Sequence, residues 1–515
     1  MRPYFTVTMP SSPKDAYNSV PTTAFPESPD LIIDQVDPLL NTQRRPRASI
    51  DCLRWILAVL LLIVLSALWG NIIAFNFSLV CAVPSNSPNY LSFLPQETSV
   101  RLRFLAYEQA ALTIVVAVTA LIGTIGVLYA LPRYGIRLVL IPLALLSALV
   151  TSCLPSAMIR GFWPTLIMRG LQGFGLAAIV PVIGVFSTKW STPTTIGTVI
   201  SGLFAYFQLA PILVLPLSGA ICGSGLGWEG ILYVQAGICV FCAAAFGIVF
   251  RESPDFHPLL QLDPVSTTET PSPPTPYKSI FKTPSVWAIW LAGAGYFLVL
   301  NSIFLFAPHY LHHVHGFSAT KAGLLATIPP LIELIVKVAA EFGGEKIHRI
   351  GVTCRLRLFN SIAFFGSALL LLVLSFMSIH HSFICYSILV ASTGVLGLAA
   401  GGFLRAVAIV SRQFSHFVTG VMAIGAITTL LLSPILVHGI APTDNPIAWR
   451  IVFWILGAIL VLTNTIFISF VNGRPATWTR SHRFSTRPPS TRTLIRTYSL
   501  THCNSKSSSE STVIN

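Results

Sequence analysis

Within PPLIELIVKVAAEFGGEK, Glu333, Lys337 and Glu341 recur every four residues. That spacing puts an acid, an amine and a second acid on one stripe of a helix. Two chemistries fit the stripe. In one, Glu333 and Lys337 neutralise each other in the favourable acid-before-amine order, Lys337 stretches inward, and Glu341 reaches headgroup water. In the other, Glu333 exchanges a proton as its surroundings change, which makes Glu333 and Lys337 candidates for ion coupling. A second candidate is Arg169 in RGLQG. Its planar fork suits a carboxylate or phosphate; the plainer role is a snorkelling or structurally paired arginine. Gln172 and Gln208 would add neutral hydrogen bonds to a ligand in the same cavity, or else join neighbouring helices. The third group is PHYLHHVHG, with His309, His312, His313 and His315. At this spacing His309, His312 and His313 share a helix face, and imidazoles charge within about pH 5 to 8, so the group is a candidate pH sensor. Zinc would need a further well-placed ligand, so no metal is assigned and a polar helix end is the plainer alternative.

The elements that must carry these residues are membrane spans. Hydrophobic residues make up 53% of the 515-residue chain, charged residues 10%, and mean hydropathy is +0.73; an ordinary soluble domain carries about 25% charged residues. Twelve apolar runs approach the ~20 residues that cross a bilayer, from 53–80 through pairs such as 107–131 and 137–155 to 449–471. The expected fold is therefore an all-α, polytopic membrane protein with twelve transmembrane helices in two six-helix lobes. The expected organisation is a cytoplasmic tail at 1–52, a first lobe at 53–250, a linker at 251–285, a second lobe at 286–471 and a basic Ser/Thr-rich tail at 472–515. TTETPSPPTPYK marks the linker by its prolines and threonines.

The net charge of +14 reads as topology rather than nucleic-acid binding. Five basic residues, Arg101, Arg103, Arg160, Lys321 and Arg450, fall in loops on one side, while most of the 32 lie on the other. The basic side is the cytoplasmic one, which places both termini there. No run of the GxxxxGK[ST] type or potassium-filter type is present, so ATP-driven pumping and that kind of channel are not supported. No cofactor is implied, and no arrangement of residues suggests an enzyme. The nine cysteines are scattered; Cys239 and Cys242, spaced as CxxC, sit inside an apolar run and read as packing. The sequon Asn76-Phe77-Ser78 lies at the end of the first span, where glycosylation is not expected.

Several motifs resemble the anion:cation symporter branch of the major facilitator superfamily, which holds vesicular glutamate, sialin-type and sodium–phosphate carriers. The matching stretches are RGLQGFGLAAIVPVIGVFSTKW, QLAPILVLPLSG, ESPDFHP, PYKSIFKTPSVWAIWLAGAGYF, APHYLHHVHGF and GLLATIP. They run from about Leu53 to Trp478, and SRQFSHFVTG resembles the divergent invertebrate members. The resemblance implies a two-lobed carrier and gives Arg169 a part in binding the anion. It also carries departures. The branch's first-span arginine is matched by Ala74, its fourth-span glutamate by Leu176, and a following histidine by Gly184. The polar run of the tenth span becomes Leu404, Ala406, Val407 and Ile409, and Pro132 in ALPRYGIR stands at the acidic position of a loop signature.

The functional expectation is a secondary transporter of a small organic anion or phosphate, working by alternating access. Proton or sodium coupling is left open because the branch's acid is missing. An uncoupled uniporter, and a transport-inactive member acting as a membrane receptor or scaffold, are the alternatives. The expected partners are a small anionic solute, co-transported H+ or Na+, and the bilayer, with no nucleic acid. The expected location is the plasma membrane or an endolysosomal or vesicular membrane; ESPDLI at 27–32 resembles an acidic-dileucine sorting signal. The C-terminal run RSHRFSTRPPSTRTLIRTYSL places Ser and Thr beside Arg, where phosphorylation would weaken attraction to anionic lipid.

Overall fold

The computed structural model describes residues 47–82, 104–192, 195–252, 275–346, 350–377, 381–441 and 445–479. The sorting-type motif at 27–32, the run from Arg480 onward and most of the linker lie outside them. The described residues are helical nearly throughout. The first half contains α1 (Arg47–Ala82), α2 (Ala106–Arg160), α3 (Phe162–Leu176), α4 (Ile179–Trp190), α5 (Ile196–Leu203), α6 (Tyr206–Cys222) and α7 (Gly227–Val249). A short α8 (Tyr277–Phe281) leads into α9 (Pro284–His313), α10 (Ala319–Ala326), α11 (Ile328–Lys346) and α12 (Val352–Phe376). The rest is α13 (Ser382–Leu396), a 3₁₀ segment (Gly397–Gly401), α14 (Phe403–Ser411), α15 (Ser415–Ile440) and α16 (Pro446–Phe470).

Ten helical stretches among the described residues are long and apolar enough to cross a bilayer. Two of these, Tyr107–Arg160 with 54 residues and Ser382–Ile440 with 59, are more than twice the length of one crossing. Each breaks near its middle. In α2 the break is Gly135, at φ 79° and ψ 176°, a conformation cheap only for glycine. Between α14 and α15 it is Arg412, at φ 42°, a strained position for an arginine. Ten stretches, two of them double, are consistent with the twelve crossings expected from the apolar runs. The turn at Gly135 is held by Glu252 of the ESPDFHP motif, which accepts from the Arg137 amide at 2.8 Å and from Lys189 Nζ at 3.3 Å. A distant carboxylate thus sits at the turn where Pro132 supplies none.

Four crossings are interrupted within the apolar layer: at 177–178 between α3 and α4, at 204–205 between α5 and α6, at Thr327 between α10 and α11, and at the 3₁₀ segment. The first and last occupy the fourth position of their respective halves, and interruptions at corresponding positions are a mark of the binding region in carriers. The crossing α5–α6 touches the second half at both ends. A Cβ on Gly197 would lie 3.3 Å from Ala408, and one on Gly219 would lie 3.2 Å from the Thr320 carbonyl.

A disulfide joins Cys81 at the end of α1 to Cys222 at the end of α6. By sequence the cysteines are scattered, with Cys239 and Cys242 assigned to packing. That holds for Cys239 and Cys242, both buried and unbridged, whereas Cys81 and Cys222 pair with each other.

Candidate functional site

Arg169 lies two turns into α3 with no exposed surface, so it does not snorkel to the boundary. Its Nε donates to the Leu112 carbonyl of α2 at 3.1 Å, and its guanidinium sits 4.1 Å over the Phe75 ring of α1. Nη1 donates to Gln172 Oε1, one turn further along α3. Gln172 in turn donates to Thr151 Oγ1 at 2.7 Å and toward the Asn71 carbonyl at 3.4 Å, while Asn71 Nδ2 donates to Ser147 Oγ at 2.9 Å. Groups from α1, both arms of α2, and α3 therefore fix the plane of the guanidinium. Among the described residues Nη2 has no hydrogen-bond acceptor, and no carboxylate pairs with Arg169. Ala74 and Leu176, which match charged positions of the resembling branch, are buried apolar residues. A buried, oriented cation with a spare donor is suited to an anionic oxygen.

Gln208 belongs to a different group. Instead of joining Gln172, it lies against the charged stripe of α11. Gln208 Nε2 donates to Glu333 Oε1 at 2.9 Å, and Tyr296 OH of α9 donates to the same oxygen at 2.6 Å. Lys337 Nζ donates to Gln208 Oε1 at 3.4 Å. The stripe is thus not a direct Glu333–Lys337 pair: the Gln208 amide stands between acid and amine. Glu333 is 0% exposed, Lys337 3% and Glu341 8%, so the third charge is enclosed too and does not lie in headgroup water. The backbone around the stripe is fitted to the 3₁₀ segment. A Cβ on Gly397 would meet the Glu333 carbonyl and come within 2.9 Å of the Lys337 amide nitrogen, so only glycine permits this approach.

The sequence profile of the Major Facilitator Superfamily matches residues 89–413. The chain belongs to the major facilitator superfamily. Among curated proteins it is 27% identical over 335 residues to the "Putative inorganic phosphate cotransporter" of Drosophila ananassae, covering 62% of this chain and 69% of that protein. It is 22% identical over 342 residues to human sialin, covering 64% and 69%. Among solved structures, a bacterial homologue of the human lysosomal transporter Spinster aligns with TM-score 0.56 at 15% identity, over 82% of this chain and 98% of that one. The last likeness speaks to the fold alone. The chain is a multi-pass membrane transporter of this superfamily, related to phosphate cotransporters and sialin.

In a major facilitator fold the two halves meet around the substrate, and the two groups stand differently toward that boundary. The Arg169 group is built wholly within the first half. The Glu333 group joins α6 of the first half to α9 and α11 of the second. The histidines lie elsewhere, at the end of α9. His309 and His313 rings are 4.3 Å apart, His312 and His313 rings 4.8 Å, and His438 of α15 lies 6.5 Å from His309. His312 Nδ1 is 2.7 Å from the Phe317 carbonyl, and His315 Nδ1 is 3.0 Å from Ser382 Oγ. Among the described residues no three His, Cys, Asp or Glu side chains are placed to hold a metal. Beyond the helix end, burial pushes the His315 imidazole below the ordinary histidine value.

Tyr296, Asn71 and Thr151 were not singled out from the sequence. Each is a single neutral polar residue in an apolar run, with no charge or spacing to distinguish it from the many Ser and Thr that bond their own helix. Cys81 and Cys222 escaped for another reason: they are 141 residues apart, with no local spacing to link them.

Proposed function

We propose that this chain is a secondary carrier for a small anion, phosphate or an organic acid, working by alternating access. Arg169 contacts the anion, and Gln172 holds the guanidinium in position. The observation that carries this reading is the fully buried Arg169, oriented by three helices and left with an unsatisfied Nη2 donor. The phosphate assignment of the Drosophila relative supports the same class of solute. Gln208 serves the boundary between the halves, not the anion directly.

Both termini face the cytoplasm in this reading. The charge asymmetry of the loops supports it, and so does the Cys81–Cys222 bridge at the opposite ends of the crossings, since such bridges persist in oxidising compartments. The plasma membrane and an endolysosomal or vesicular membrane both satisfy that condition.

The test is reconstitution of the full chain into liposomes, with labelled phosphate, glutamate, sialic acid and urate offered with and without a proton gradient. Uptake of one of them that is lost in Arg169→Ala supports the carrier. Tight binding without flux would favour a receptor instead, a reading that the apolar Ala74 and Leu176 encourage. No uptake and no binding across the panel would sink the anion-carrier assignment.

A further inference from the structure

Glu333 is an acid whose hydrogen bonds link the two halves of the fold. Its Oε1 receives Tyr296 OH from α9 and Gln208 Nε2 from α6, at 2.6 and 2.9 Å. Its Oε2 is buried and has no partner among the described residues. A carboxyl group enclosed in protein is neutralised by a cation or by a proton. The neighbouring cation, Lys337, is turned to the Gln208 carbonyl oxygen, which leaves Oε2 as the place for a proton. A metal cation such as sodium suits these ligands poorly. Such ions need several oxygen acceptors, whereas the groups aimed at Oε1 are donors and the one amide oxygen beside them already receives Lys337.

Charged and titratable groups lie on the elements packed around the stripe. α11 itself supplies Lys337 and Glu341. Tyr296 comes from α9 and Tyr206 from the start of α6. Arg405 of α14 brings Nη1 to 3.5 Å from the Glu341 carbonyl, and Tyr386 of α13 donates to the Leu325 carbonyl at 2.9 Å. The 3₁₀ segment packed on Glu333 and Lys337 adds a second feature, because a mid-helix 3₁₀ stretch often marks a hinge.

We infer that Glu333, held by Tyr296 and Gln208, is a proton-binding site whose occupancy sets the net charge around Lys337 and so its pull on an anion. With Glu333 ionised, the acid and the amine sum to zero charge. A proton on Oε2 raises the net charge of the Glu333–Lys337–Glu341 stripe by one, and a monoanion entering between the halves offsets that charge. Anion and proton then cross together, one for one. This rests on the carrier reading above and extends it by naming the co-transported ion and its site.

Two measurements on the full-length protein test the inference. The first needs no substrate: infrared difference spectra of the protein in lipid between mildly alkaline and acidic buffer. The carbonyl stretch of a protonated carboxylic acid is expected to grow on acidification, to be lost in Glu333→Gln, and to shift in Tyr296→Phe, which keeps the carboxyl but removes one hydrogen bond. An unchanged band in Glu333→Gln, or no such band in the wild type, overturns the inference. The second is labelled inorganic phosphate in proteoliposomes, read as accumulation with an inward proton gradient relative to none. The gradient-driven excess is expected to disappear in Glu333→Gln, and an undiminished excess overturns the inference. If the wild type moves no phosphate, or Arg169→Ala moves as much as the wild type, it is the carrier reading for phosphate that fails, and the infrared result still decides Glu333.

Discussion

Gln208 donates to Glu333 Oε1 at 2.9 Å across 125 residues of chain, from a helix of the first half to a helix of the second. With the opposite face of its amide accepting from Lys337 at 3.4 Å, one neutral side chain separates two buried charges. A rocking motion of one half against the other would have to break or swing these bonds, which ties the protonation of Glu333 to the state of the carrier.

That arrangement predicts strong energetic coupling. Gln208→Ala strips a donor from Glu333 and an acceptor from Lys337 together. Its cost to thermal stability is expected to be about 1–3 kcal/mol, the usual penalty for leaving buried polar groups unpaired. Combined with Glu333→Gln, the two losses should add to less than their sum, by ~0.5–3 kcal/mol in a double-mutant cycle. Strict additivity in detergent melting curves would mean that the two residues do not share one network.

At Gly397 the prediction is steric. An added methyl would meet the Glu333 carbonyl and come within 2.9 Å of the Lys337 amide nitrogen, so the 3₁₀ segment must move away from α11. Gly397→Ala is expected to lose about 1–3 kcal/mol by overpacking, read as a lowered melting midpoint. Wild-type melting behaviour would contradict the close approach.

The Cys81–Cys222 bridge closes a separation of 141 residues, and removing a native bridge typically costs ~2–5 kcal/mol. Peptide mapping under non-reducing conditions should recover the two cysteines in one linked pair. A membrane-impermeant reductant applied to the non-cytosolic face of intact cells should open it, with a fall in melting midpoint. Opening only from the cytosolic side would reverse the proposed topology.

His315 gives a pH dependence whose sign can be worked out. Its folded-state value lies below the ordinary ~6.5 because of burial, so the unfolded chain binds the proton more readily. The stabilisation is fully present above the ordinary value and is lost as pH falls through the lower folded one. Melting midpoints measured across that interval should fall on acidification in the wild type and fall less steeply in His315→Asn. Identical slopes would remove His315 from the account.

The sequence and the structure agree where one-dimensional pattern suffices. Apolar length located the crossings, and the turn residues Gly135 and Arg412 divide the two longest stretches where the apolar runs end. Arg169 was legible because a charge inside an apolar run is conspicuous, and Gln172 because it follows by one helical turn. The partners of Glu333 were not legible. Spacing pairs it with Lys337 on the same helix, whereas the bonds run to Gln208 and Tyr296, 125 and 37 residues away. Gln208 was named as a ligand-binding residue beside Arg169, but nothing in the order of residues states which of two polar groups a mid-span glutamine will join. Only the packing of α6 against α10 and α11 settles that.

The measurement that bears most directly on the account is the initial rate of labelled phosphate uptake by the reconstituted full chain, compared with Arg169→Ala and Arg169→Lys. Losing charge-assisted hydrogen bonds worth ~1.5–3 kcal/mol should slow Arg169→Ala by about tenfold to a hundredfold or more. Arg169→Lys should fall between, since it keeps the charge but loses the planar fork that Leu112 and Gln172 hold. Wild-type uptake in Arg169→Ala, by protein that still folds, would contradict the central claim.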